Sequence, residues 1–131
     1  MTNSLKLGGH ALGLAVTAFL MAGIQAPAAA GPIGFREDVL PILELRCLGC
    51  HQPGGEGYEK SGLDMRTYEG LMKGTNHGPM IIPGSIIKSN LLAMIDRRTS
   101  SELWMPHGKK QLSICERQAI RFWVAQGARN N

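Results

Sequence analysis

Beyond its first thirty residues, this chain of 131 residues holds no apolar segment long enough to cross a bilayer, which takes about 20 residues. It also lacks any internal repeat or later low-complexity tract, which excludes a repeat architecture. Runs of alternating polarity are missing too, so strands have no signature. Cysteines number three, and beyond Cys47 and Cys50 only Cys115 is left. With His77 and His107 far apart in sequence, a zinc site finds neither a second C-x-x-C nor a closely spaced histidine pair. No βαβ context surrounds the thiols, which removes a thioredoxin-like dithiol. A disulfide between Cys47 and Cys50 would close a very small loop in poor geometry.

What is present is Cys47-Leu48-Gly49-Cys50-His51. C-x-x-C-H reads as a c-type haem attachment site. Two thiols at this spacing can each add across a vinyl group of one haem c, and the adjacent imidazole supplies the proximal iron ligand. Cys47, Cys50 and His51 are therefore expected to hold one covalently attached haem.

The first thirty residues carry Lys6 in a weakly basic start, an apolar stretch at 11–24, and Ala28-Ala29-Ala30 before Gly31. This is the pattern of a secretory signal peptide, residues 1–30. The mature domain is then 31–131, exported to the periplasm, where haem attachment to C-x-x-C-H takes place in bacteria. Membrane association is expected only if that segment stays uncleaved. A single domain of this size has a modest core, so a covalently held porphyrin would be a large part of it. The net charge is +4, spread along the chain with short clusters at Arg97-Arg98 and Lys109-Lys110. Nucleic acid is not an expected partner. The clusters read as solvated surface or as a docking patch for an acidic redox partner.

Glycine and proline divide the mature chain into short helices and loops. A helix is expected over 35–46, delivering Cys47 at its end, with a kink or late start at Pro41. Residues 52–62 read as a glycine-rich loop. A helix over 68–73 has Thr67 as cap and Gly74 as stop. The next is expected over 86–97 with Ile87, Leu91, Met94 and Ile95 on one face, and 99–111 as a loop. The last helix opens on the capping box of Ser113 and Glu116. It turns Ile120, Trp123 and Val124 to one side, with Trp123 packed on the first helix, and stops at Gly127. Cys115 reads as an inert buried thiol, with a surface thiol or intermolecular disulfide as the alternative.

The sixth iron position separates electron transfer from haem chemistry. Met105, in the loop before the last helix and restrained by Pro106, is the leading distal ligand. Met80 is the next candidate, then His107 and His77. Met65, Met72 and Met94 read as packing residues. Pro79 is a candidate carbonyl acceptor for the ligating histidine. Arg66, Trp104 and Lys109 are candidate propionate partners.

In order along the chain, Pro41-Ile42-Leu43, the C-x-x-C-H segment and Gly62-Leu63-Asp64-Met65 come first. Gly78-Pro79, Ile82-Pro83-Gly84, Ser89-Asn90-Leu91-Leu92, Met105-Pro106 and the segment from Trp123 to Ala128 follow. Over 33–128 this series resembles the planctomycete-type cytochrome c domain, within the class I c-type cytochromes. The resemblance implies an all-α fold of three to five short helices around one haem, with Met105 as distal ligand. The family usually has a second proline after the M-P pair, where this chain has His107.

The expected function is that of a periplasmic monohaem electron-transfer protein without catalytic residues. It would serve as a free carrier or as the haem subunit of an oxidoreductase, with a periplasmic dehydrogenase or terminal oxidase as redox partner. The alternatives are a haem enzyme or gas sensor with a displaceable distal ligand, and a structural subunit; no obvious acid–base pair supports a peroxidase. Amino-terminal sequencing of exported protein is expected to begin at Gly31; a start at Met1 would mean that the leading segment is retained.

Overall fold

The structure, a computed structural model, describes residues 31–131. The expected signal peptide at 1–30 lies outside the described residues. Among those described there are five α-helices and no strand: α1 (Leu40–Arg46), α2 (Glu56–Ser61), α3 (Tyr68–Lys73), α4 (Asn90–Ile95) and α5 (Ile114–Ala125). A π turn, Phe35–Val39, runs straight into α1, and a 3-10 turn, Ser101–Leu103, breaks the loop before α5. The all-α expectation holds for this part of the chain.

Pro41 explains the change of winding. It sits in the first turn of α1, where a missing N–H leaves no broken bond. The wider turn ahead of it closes through Val39 N–H to the Gly34 carbonyl at 3.3 Å. Free N–H groups at this helix start take acceptors from the other end of the chain. Phe35 N–H donates to Asn131 Oδ1 at 3.2 Å, Arg36 N–H to the Asn131 carbonyl at 3.1 Å, and Ile33 N–H to Gln126 Oε1 at 2.8 Å.

The same end of the molecule holds an aromatic cluster. Phe35 meets Tyr68 edge-on at 5.3 Å and Trp123 at 5.5 Å between ring centroids. Such rings bury large apolar area while their polar atoms find partners. The Tyr68 hydroxyl donates to the Ala128 carbonyl at 2.9 Å and Trp123 Nε1–H to the Arg129 carbonyl at 2.8 Å. Trp123 is thus a core residue against the first helical segment, as its position in sequence implied.

The capping box of α5 forms in both directions, with Glu116 N–H on Ser113 Oγ and Ser113 N–H on Glu116 Oε2. The Ser113 N–H holds the Glu116 carboxyl below its ordinary range. The cap therefore contributes fully above that range and is lost as pH falls through the lowered value. Gly127, at φ 101°, ends the helix as expected. On α5 the core face is Ile120, Trp123 and Val124, and Cys115 lies off it, exposed to solvent. The buried-thiol reading of Cys115 is corrected accordingly.

Two helix boundaries also differ from expectation. Residues 52–62 contain α2. Gly62 closes it in the left-handed region at φ 72°, acidic Glu56 and Glu59 favour its first turn, and Glu56 pairs with Lys60 one turn on at 2.6 Å. The helix expected over 86–97 is shortened to α4. Its start is displaced by Ser89, whose buried hydroxyl donates to the Ser85 carbonyl at 2.6 Å and accepts from Ile82 N–H at 2.9 Å. Such side-chain bonds offer the backbone an alternative to the helix. Ile87 consequently falls outside α4 and is 84% exposed, not on its apolar face. At the other end Arg97 turns left-handed at φ 57°, and Arg98 N–H returns to the Ala93 carbonyl at 2.8 Å, closing the helix.

α4 packs on α5, and beside that contact Asp96 pairs with Arg98, Arg117 and Arg121. Removing the Ser89 hydroxyl in Ser89→Ala should lower stability by about 2 kcal/mol, because a buried N–H and a carbonyl lose their partner. A urea midpoint unchanged from that of the parent would contradict this role.

Candidate haem site

The C-x-x-C-H segment is placed by the end of α1. Cys47 N–H still bonds the Leu43 carbonyl at 2.9 Å, and Cys50 N–H and His51 N–H both return to the Cys47 carbonyl at 3.0 Å. One tight turn of backbone therefore carries both thiols and the imidazole. Two neighbours fix it from outside: Tyr58 N–H of α2 bonds the Cys50 carbonyl, and Met65 N–H bonds the His51 carbonyl, each at 2.9 Å. Gly57 lets the α2 backbone lie against the imidazole, since a Cβ there would come 2.8 Å from His51 Cε1. α2, which sequence reading missed, is thus part of the site; its Gly55 and Gly62 boundaries were the available signal.

His51 is buried, and its Nδ1 has no hydrogen-bond partner. Burial lowers its pKa; the nearby Leu63 backbone works in the opposite sense without reaching hydrogen-bond geometry with Nδ1. The imidazole is thereby kept neutral, the form that can ligate iron. Pro79, the expected carbonyl partner, is exposed, and its carbonyl makes no hydrogen bond to Nδ1.

Burial also pushes the Cys47 thiol up to about 11, against the opposing pull of Arg46. Among the described residues no three His, Cys, Asp or Glu side chains converge to hold a metal ion. A neutral, apolar thioether suits such a position, so these residues fit a haem attached through Cys47 and Cys50.

The loop carrying Met105 runs beside this turn. Met105 is half-buried, packs on the core, and donates its N–H to the Met94 carbonyl at 3.3 Å. Lys109 from the same loop acts on the Cys47 thiol. Glu56, held below its ordinary range chiefly by Lys60, also feels His107. Met80 is buried among the core residues, while His77 and His107 are exposed. Met65 is buried, and Met72 and Met94 pack against the core, all in agreement with packing roles. Two candidate propionate partners are already engaged: Trp104 Nε1–H on the Thr99 carbonyl at 2.9 Å, and Arg66 on both oxygens of Asp64.

Neither the curated proteins nor the solved structures offer a match to this chain. Residues 47–107, from the first thiol of the turn to the histidine after Met105-Pro106, match the family model described as Planctomycete cytochrome C. That family supports a haem-binding electron-transfer role rather than catalysis. By this match, residues 47–107 are similar to a planctomycete-type cytochrome c domain.

Proposed function

We propose that this chain is an exported, periplasmic monohaem c-type cytochrome that passes single electrons between partner proteins. Cys47 and Cys50 hold the haem c through thioethers, His51 is the proximal ligand and Met105 the distal one. When bound, the haem supplies a one-electron iron couple. The observation that carries this reading is the turn at 47–51, which sets both thiols and the buried, neutral imidazole on one short run of backbone.

The protein's own groups then have distinct tasks. The backbone bonds from Tyr58 and Met65 orient the turn, and a rigid ligand set keeps reorganisation small between oxidation states. Met105, as a thioether, favours the reduced iron and raises the potential. Its half-buried place beside the core supports it over Met80, whose side chain is occupied in packing, and over the exposed His107. The donor or acceptor is a periplasmic dehydrogenase or terminal oxidase, which this chain serves as a free carrier or as its haem subunit.

Protein expressed with haem-maturation machinery should be coloured, with low-spin six-coordinate spectra and a mass one haem above that of the chain. Met105→Ala should open the sixth position, giving rapid carbon monoxide binding and a potential lower by at least about 100 mV, within the ~0.8 V that axial ligands span. Met80→Ala should leave both unchanged; the reverse pattern would move the ligand to Met80. A thiol reagent should find Cys115 alone, both in the folded protein and after denaturation. Reaction of Cys47 and Cys50 in denaturant would mean that no thioethers had formed.

A further inference from the structure

The neighbouring arginines 97 and 98 are parted by the fold. Arg98 joins Arg117 and Arg121 on the Asp96 carboxylate, while Arg97 has no ion-pair partner among the described residues. Its guanidinium carbon lies instead 4.9 Å from the centre of the Trp104 ring. A cation within about 6 Å of an indole face is attracted by the ring's quadrupole. The backbone beneath it is unusual as well. Arg97 is left-handed at φ 57°, a conformation that helix ends ordinarily give to glycine or asparagine. An arginine so placed persists because something else holds it, here the ring.

That ring sits one residue before Met105. Trp104 folds the preceding loop onto itself: its Nε1–H donates to the Thr99 carbonyl at 2.9 Å and its backbone N–H to the Ser101 carbonyl at 3.2 Å. With Arg97 over its face, the indole is held at both edge and face. Met105 itself is tied less firmly. Its N–H reaches the Met94 carbonyl at 3.3 Å, beyond the usual range of about 2.7–3.2 Å. On its other side the chain is next bound to the rest of the fold at Lys110 and Gln111. There Arg46 donates to both carbonyls, and Gln111 Nε2–H to the Ile95 carbonyl at 2.9 Å. The half-buried Trp104 is thus the nearest firm anchor that Met105 has.

We infer that Arg97 and Trp104 are positioning residues for Met105: the stacked pair holds the loop so that the thioether stays on the sixth iron position. This rests on the reading of Met105 as distal ligand. The stack governs how often that ligand lets go. A thioether on a loosened loop leaves the position open for a larger share of the time, and an incoming ligand gains by that share.

The test compares the haem-loaded protein with its Arg97→Asn, Arg97→Lys and Trp104→Phe variants. Asparagine tolerates the left-handed backbone but brings no cation, whereas lysine keeps a cation for the ring. In R97N the reduced protein should bind carbon monoxide about threefold faster, the size of effect expected from an exposed cation–π contact. The methionine-to-iron absorption band of the oxidised protein should weaken. The Met105 amide should exchange its hydrogen faster by a similar factor, while the urea midpoint stays at the parent value. R97K should recover most of the parent behaviour. W104F, which lacks the Nε1–H, should speed carbon monoxide binding at least as much as R97N. R97N equal to the parent in both carbon monoxide binding and Met105 exchange would overturn the inference. So would R97K sharing every change seen in R97N, or a drop in the R97N urea midpoint large enough to account for them. If M105A binds carbon monoxide no faster than the parent, the ligand reading falls instead, and amide exchange decides the clamp alone: faster exchange at Met105 in R97N upholds it, and equal exchange removes it.

Discussion

The His51 imidazole is buried where none of the described residues hydrogen-bonds its Nδ1, and burial keeps it neutral. Most buried polar atoms in folded chains are satisfied, so this nitrogen is a cost that the fold carries in one place. Short elements surround it. α1 ends where Cys47 begins, α2 leans its backbone on the ring at Gly57, and residues 62–65 return to bond the His51 carbonyl through Met65. A helix with a bulkier residue at 57 would have to stand further off, and the turn would lose one of its walls.

The far end of the molecule is built by a different physics. There Phe35, Tyr68 and Trp123 join three segments distant in sequence, and each polar atom of the two larger rings is spent on a backbone carbonyl near the carboxyl terminus. The division of labour is plain: apolar contact and hydrogen-bonded aromatics hold the fold at one end, while the turn at 47–51 is held by backbone bonds from its neighbours at the other. Asp96, drawing three arginines together, ties α4 to α5 between them.

Much of this was legible in the residues. The turn at 47–51 was read from Cys47, Cys50 and His51 because the C-x-x-C-H motif depends on spacing alone. The capping box, Gly74 and Gly127 were read because they act locally. The failures also have local causes. α2 was hidden by glycine: Gly55 and Gly62 bound the helix and Gly57 lies within it, and α4 was overextended because the Ser89 hydroxyl diverts backbone groups that a periodicity argument assigns to the helix. Cys115 was misjudged because thiols are often buried, whereas the helix phase set by Ile120, Trp123 and Val124 places it outward. The Leu63 backbone beside His51 could not be read at all, since it depends on how a loop returns through space.

The hydrogen bonds from Ile33 to Gln126 and from Phe35 to Asn131 span separations of 93 and 96 residues. Joining positions so far apart costs about 4 kcal/mol of chain entropy, growing only slowly with length. Contacts of that kind are rewarded only after the intervening chain has condensed. The two ends of the described chain are thus latched to each other, and fraying at either one releases both together.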